Sequence, residues 1–213
     1  MVDEFEGTYP VGNLEYFRNR WKAGLEESDI NESYFNRSVK NHLETATLIA
    51  RHFSYLSCWH ENAGESAAMW KLYLKSNEGI AIKTTHSRLC GCLSYSRPIS
   101  VSRVSYVDYR DVVVGDLSVD SLILLKRLSF KHEQEVRAYF VDHPSYGGSV
   151  RELRKLSKDN EIDGIQVKVC LRSLIEKIYV APGVPWLYGL VESLVRNRFK
   201  LDVPVLPSDI LNV

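Results

Sequence analysis

The order in which two periodicities appear constrains the fold of this chain more than any other feature. Over the first fifty residues, side chains recur at three and four. Leu14, Phe17, Arg18 and Trp21 mark a helix from Asn13 to Ala23, and Leu43, Ala46, Thr47 and Ala50 line one side of a second helix from about Ser33 to His52. From Phe53 the period shortens to two. "FSYLSCW", "GIAIKTT", "SVSRVSYVDY" and "EVRAYFVD" read as strands, the first and second enclosing a short helix, "AAMWKLYLKSN", opened by Ser66 or Glu65 and closed by Asn77-Glu78-Gly79. This strand, loop, short helix and strand, Phe53 to Thr84, is the best-defined organisation in the chain.

Further along, "LSVDSLILLKRLSF" reads as a helix and "HPSYGGSVRELRKLSKDNEIDG" as a polar, exposed, mobile excursion. "IQVKVCL" reads as a strand, "RSLIEKIYVAPG" as a turn and strand, and "WLYGLVESLVRNRF" as a helix with Leu187, Leu190, Val191 and Leu194 on one stripe. "LDVPVLPSDILNV" closes the chain as a short edge, its prolines unsuited to a central strand. Helices first, then mixed strands and helices, imply an α+β fold: N-terminal helices followed by a mixed, mostly antiparallel sheet with helices packed on it. With 213 residues and 45% hydrophobic content the chain can bury one good core, so a single domain is expected. Within it lie a helical part (1–52), a central core (53–140), an exposed loop (143–164) and C-terminal strands with a helix (165–213).

Lys plus Arg and Asp plus Glu both count 27, so nothing in the overall balance suggests a chain that lives on phosphate backbones or anionic lipid, and any nucleic-acid contact would be a local patch. No apolar run approaches the roughly 20 residues of a membrane span, and the opening MVDEFEGTYP is acidic where a signal peptide is basic. The expectation is a cytoplasmic protein without a membrane partner. Cys58, Cys90, Cys92 and Cys170 are too scattered for a disulfide framework and read as reduced thiols, with no metal site expected.

The common catalytic signatures are missing: no G-x-x-x-x-G-K-[ST], G-x-G-x-x-G, H-E-x-x-H or G-x-S-x-G. What remains is "SFKHEQEVRAYF". On an extended strand Glu133, Glu135, Arg137 and Tyr139 share one face, with neighbouring carboxylates about 6 to 7 Å apart. Such a face is either a solvated ladder of charge pairs or a carboxylate held by an arginine in a cleft, able to steady a sugar cation. A second candidate is the helix bearing Trp70 and Tyr73, which face one way: a core pair, or a platform on which a ring-bearing ligand stacks. His60, just past a strand end, reads as a capping or surface histidine.

Four separated segments then appear in an order that resembles a bacterial and phage family, the domain of unknown function 2971. Ser57-Cys58-Trp59, Met69-Trp70 with Tyr73, Gly79-Ile80, and Lys126, Phe130 and Glu133-x-Glu135-Val136-Arg137 fall on that family's motifs. "DEFEGTYP", residues 3 to 10, is similar to its D-P-F-E-G segment, with Glu4 in place of proline. In the family a strand and helix precede that segment, so this chain looks shortened at its front, or its start is assigned late. The family's layout is in turn similar to that of ADP-ribosyltransferases. That resemblance implies an NAD-consuming enzyme of toxin or anti-phage type, with NAD as substrate rather than bound cofactor and a protein or nucleic acid as acceptor. It would make Glu135 the acid that binds the nicotinamide ribose and Glu133 the acceptor-side residue, with Arg137 beside them. Trp70 or Tyr73 would stack on nicotinamide, and Ser57, His60 and Lys126 would line the ligand site. The rival reading is a non-enzymatic ligand-sensing or binding module in which Trp70, Tyr73 and Arg137 line a ligand pocket and both glutamates only hold Arg137 in place. A weaker third reading, nucleic-acid binding through "RELRKLSK", is diluted by Glu152, Asp159 and Glu161. Oligomeric state leaves no sequence mark.

Overall fold

A computed structural model describes residues 3–23, 31–76, 78–93, 97–116, 118–160 and 164–210. Expectations that touch Asn77, Leu117, Glu161 or the last three residues lie outside this range. The fold is α+β, with the N-terminal helices preceding the sheet strands. Its contacts cluster in two compact units, 3–60 with 100–165 and 61–99 with 166–210, each assembled from two stretches of chain.

In the first unit, α1 (Asn13–Lys22) and α2 (Glu32–His52) form where the helical periodicity runs. Asn13 is buried and pins a distant loop, its amide donating to the Val114 carbonyl and its oxygen accepting from the Val114 amide. Asn31 caps α2 by accepting from the Tyr34 amide, the expected use of an Asn at that position. Three antiparallel strands follow, ordered β1 (Ser54–His60), β6 (Glu135–Val141), β3 (Ser100–Arg103), so that β6 is central. A parallel pair, β4 (Ser105–Val107) with β5 (Leu125–Arg127), lies alongside in sequence. The core joins Ala46, Ile49 and Ala50 of α2 and Phe53 to Val119, Leu122 and Ile123 of α5 (Val119–Ile123). Tyr139 of β6 and Leu153 of α6 (Val150–Asp159) complete it.

In the second unit, α3 (Ala67–Tyr73), β2 (Ile80–Lys83) and α4 (His86–Cys92) are followed, after the chain returns, by α7 (Leu171–Leu174), β7 (Lys177–Val180), α8 (Pro185–Ser193) and β8 (Val205–Pro207). Its sheet runs β2-β7-β8, antiparallel then parallel. The edge position of Pro207 agrees with the proline argument. Ile80 and Ile82 do share one face, opposite Val180 and Ile178.

Several expectations need correction. Residues 143–164 are not simply an exposed loop: Val150–Asp159 is helical, and Leu153 is fully buried against α2 and α5. Charge density hid a helix that places one leucine inward. "LSVDSLILLKRLSF" is not one helix but α5, β5 and a 3₁₀ segment, Leu128–Glu133. "IQVKVCL" forms no regular strand. "SVSRVSYVDY" breaks at Val104 into β3 and β4, which enter different sheets. The Phe53 to Thr84 run is not one structural unit, because β1 pairs with β6 and β2 with β7. The expected stripe divides: Val191 of α8 is buried, while Leu190 and Leu194, the latter opening the π-helical turn Leu194–Arg198 that follows α8, face outward.

Candidate functional site

The site grows from the backbone between Glu133 and Glu135. Glu133 ends the 3₁₀ segment rather than continuing the strand, and Gln134 adopts a left-handed conformation, φ 39°, before β6 begins at Glu135. The expectation of two glutamates on one strand face therefore fails locally. The kink nonetheless delivers both carboxylates to one cation. Lys126 Nζ, from β5, donates to Glu133 Oε2 at 2.5 Å and to Glu135 Oε2 at 3.0 Å, which places these two oxygens no more than about 5.5 Å apart. The Lys126 ammonium also lies 5.2 Å from the centre of the Phe130 ring.

Arg137 is the other cation, 1% exposed. Its Nε donates to Glu135 Oε1 and one terminal nitrogen to Glu135 Oε2, both at 2.9 Å, a fork-on-fork pair within one strand. The same nitrogen donates to Glu6, and the other donates to the Ile123 carbonyl at the end of α5. Glu135 is further fixed by its amide, which donates to the Tyr106 hydroxyl at 2.7 Å. A strand face open to water is thus excluded. It is buried because β6 is the central strand.

"DEFEG" closes the same cluster. Asp3, itself buried, accepts from Arg127 Nε at 2.7 Å, and the Arg127 guanidinium lies over the rings of Phe5 and Phe130, 5.0 and 5.3 Å from their centres. Glu6 reaches Arg137. Gly7 follows at φ +73°, where a Cβ would come within 3.0 Å of Arg51, and Arg51 in turn donates to the carbonyls of Glu4 and Glu6. Four carboxylates, Asp3, Glu6, Glu133 and Glu135, thus meet three cations, Lys126, Arg127 and Arg137.

Electrostatics follow from that packing. Burial acts to raise the Glu135 carboxyl, but hydrogen bonds from Arg137, Cys58 and Lys126 outweigh it and draw it down to about 2. Burial acts to lower Lys126 and Arg137, and their carboxylate partners outweigh it, holding both cations above their ordinary values. The Cys58 thiol is pushed up to about 12, first by burial and then by its hydrogen bond to Glu135, so it stays a donor.

Of the other expected site residues, Lys126 and His60 belong to this cluster. His60 sits opposite Glu135 in the β1–β6 ladder, and its Nδ1 lies 2.7 Å from the Glu133 carbonyl. A carbonyl only accepts, so Nδ1 carries the proton. Ser57 is exposed and takes the Trp59 indole N–H at 3.2 Å. Trp70 and Tyr73 belong to the second unit. There the Trp70 indole donates to Glu65 at 3.0 Å, and Glu65 also accepts from the Asp209 amide at 2.9 Å, while Tyr73 is 65% exposed and so is no core residue. Residue-by-residue reading of the sequence assigns no role to Asp3, Glu6, Arg127, Cys58 or Tyr106. The "DEFEG" segment was the available signal for the first two. Among the described residues no group of three or more His, Cys, Asp or Glu side chains is placed to hold a metal.

No family model, curated protein or solved structure matches this chain.

Proposed function

We propose that this chain is a ligand-binding or sensing module in which the Glu133, Lys126, Glu135 and Arg137 cluster is an organising polar core. The observation that carries this reading is the Lys126 ammonium lying between the two carboxylates. A glycosyl-transfer site needs the sugar between its acid pair, and a ribose hydroxyl needs a free carboxylate lone pair. Here both oxygens of Glu135 already accept from Arg137, and one also accepts from Lys126. Arg137, with every nitrogen engaged inside the protein, orders the sheet instead of presenting charge to a ligand.

The binding surface in this reading is Tyr73 with Trp70, whose indole is held by Glu65 so that a ring-bearing ligand stacks on a fixed platform. Kinship with the family of unknown function is part of the same proposal. It is supported by four residues of the last motif, Lys126, Phe130, Glu135 and Arg137, joining Asp3 and Glu6 of "DEFEG" in one cluster. An NAD-consuming role in toxicity or phage defence remains the rival reading.

The test is to incubate the full chain and a cell lysate with NAD labelled separately in nicotinamide and adenylate. The expected result is no nicotinamide release above blank and no labelled acceptor, while NAD binding by calorimetry, where seen, weakens at least tenfold in Tyr73→Ala. Release of nicotinamide that disappears in Glu135→Gln would overturn the proposal in favour of the transferase.

A further inference from the structure

The second unit carries a pair of cysteines to which neither the polar core nor the aromatic platform gives a task. α4 and α7 pack on each other, tied by Arg88, whose guanidinium donates to the carbonyls of Ser173 and Ile175 at 3.2 and 3.1 Å. That packing sets the buried Cys92, at the end of α4, with its sulfur 3.8 Å from the carbonyl oxygen of Cys170, the residue that caps α7. A carbonyl oxygen lies about 2.4 Å from its own Cα, so the Cys92 sulfur stands no more than about 6.2 Å from the Cα of Cys170. A disulfide between them requires the exposed Cys170 side chain to turn from Ser173 towards that sulfur, with the backbone adjusting to bring the two sulfurs into bonding range. Cys170 is exposed, and its sulfur accepts from the Ser173 hydroxyl at 3.4 Å.

We propose that Cys170 is a site of oxidation by hydroperoxides and that Cys92 resolves the product to a Cys92–Cys170 disulfide joining α4 to α7. In the first step the Cys170 thiolate attacks the terminal peroxide oxygen. The O–O bond breaks, an S–O bond forms, and the peroxide, reduced by two electrons, leaves as its alcohol or water with the thiol proton. In the second, the Cys92 sulfur attacks the sulfenic sulfur. The S–O bond breaks as S–S forms, and the hydroxide takes the Cys92 proton away as water. The Ser173 hydroxyl and its backbone amide favour the Cys170 thiolate, lowering that thiol from its ordinary value. Cys58 is the opposite case, its proton held against Glu135. A dithiol reductant reverses the link, as for transient disulfides of reducing compartments.

Cys90 is the competitor, because His86 Nε2 lies 3.5 Å from its sulfur on an exposed turn of α4. The experiment treats the folded full chain with hydrogen peroxide, blocks free thiols, and maps peptides without reduction by mass spectrometry. The expected product is a Cys92–Cys170 linked peptide lacking two hydrogens, retained in Cys90→Ser and reduced to background in Cys170→Ser. In Cys92→Ser, dimedone added during oxidation is expected on Cys170. Either serine variant alone suffices should the other fail to fold. Dimedone on Cys90 or Cys58 with Cys170 unmodified, a Cys90–Cys170 link, or Cys170 oxidised without linkage to Cys92 would overturn the proposal.

Discussion

The guanidinium of Arg137 directs its donors to Glu135, Glu6 and the Ile123 carbonyl, so one side chain ties the central strand to the N-terminal segment and to α5. Such a cluster is weak evidence for net stability, because desolvating the charges offsets most of their attraction, but removing one partner leaves the others buried and uncompensated. Arg137→Met is therefore expected to cost about 3–5 kcal/mol in urea unfolding. Arg137→Lys should recover only part of this, since an ammonium cannot serve three differently placed acceptors at once. A loss under about 1 kcal/mol for Arg137→Met would show that the cluster is solvated instead. Glu135 gives the pH dependence. Its carboxyl lies at about 2 in the folded protein against an ordinary 4.5, so its contribution is fully present above 4.5 and is lost as pH falls towards 2. The urea midpoint of the wild type should decline more steeply over that window than that of Glu135→Gln, measured in parallel.

Two elements depend on features that periodicity does not report. α6 is held by Leu153, fully buried among Ile49, Leu122 and their neighbours, while most of its other side chains are exposed. Leu153→Ala is expected to destabilise by about 2–5 kcal/mol, read by thermal or urea unfolding. An effect below about 1 kcal/mol would mean that α6 detaches without consequence for the core. At the start of β6, Gln134 holds a left-handed conformation that costs a side-chain residue about 1 kcal/mol or more. Gln134→Gly should be neutral or stabilising by up to about 1 kcal/mol, whereas Gln134→Val, with a branched Cβ at positive φ, should lose stability and loosen the Lys126 bridge. Equal stability of the two variants would mean the kink is not retained in solution.

At the scale of the molecule, each compact unit is built from two stretches of chain. Hydrogen exchange on Arg137→Met tests whether each unit opens by itself. Amides of β1, β3 and β6 should lose protection, while those of β2, β7 and β8 keep theirs. Uniform loss across all six strands would show one cooperative fold. Much of the element inventory was legible beforehand, because α1, α2, β1, β2 and β6 each carry a period long enough to read. α4 was not, its "HSRLCGC" being too short and too polar to show a stripe. In "RELRKLSK" the density of charge masks the helical period, because only Leu153 among its leucines turns fully inward.

The sequence by itself determined the α+β class and the strand bearing Glu135 and Arg137, since these rest on periodicity. It could not determine that Glu133 leaves the strand, that Asp3 and Glu6 come from the far end of the chain to meet the cations, or that Lys126 fills the space between two glutamates. Those are decided by tertiary structure, because whether a charged face is wet or buried depends on which strand becomes central and what packs over it. The cost of burying charge then selects partners by proximity in space, at any separation in sequence.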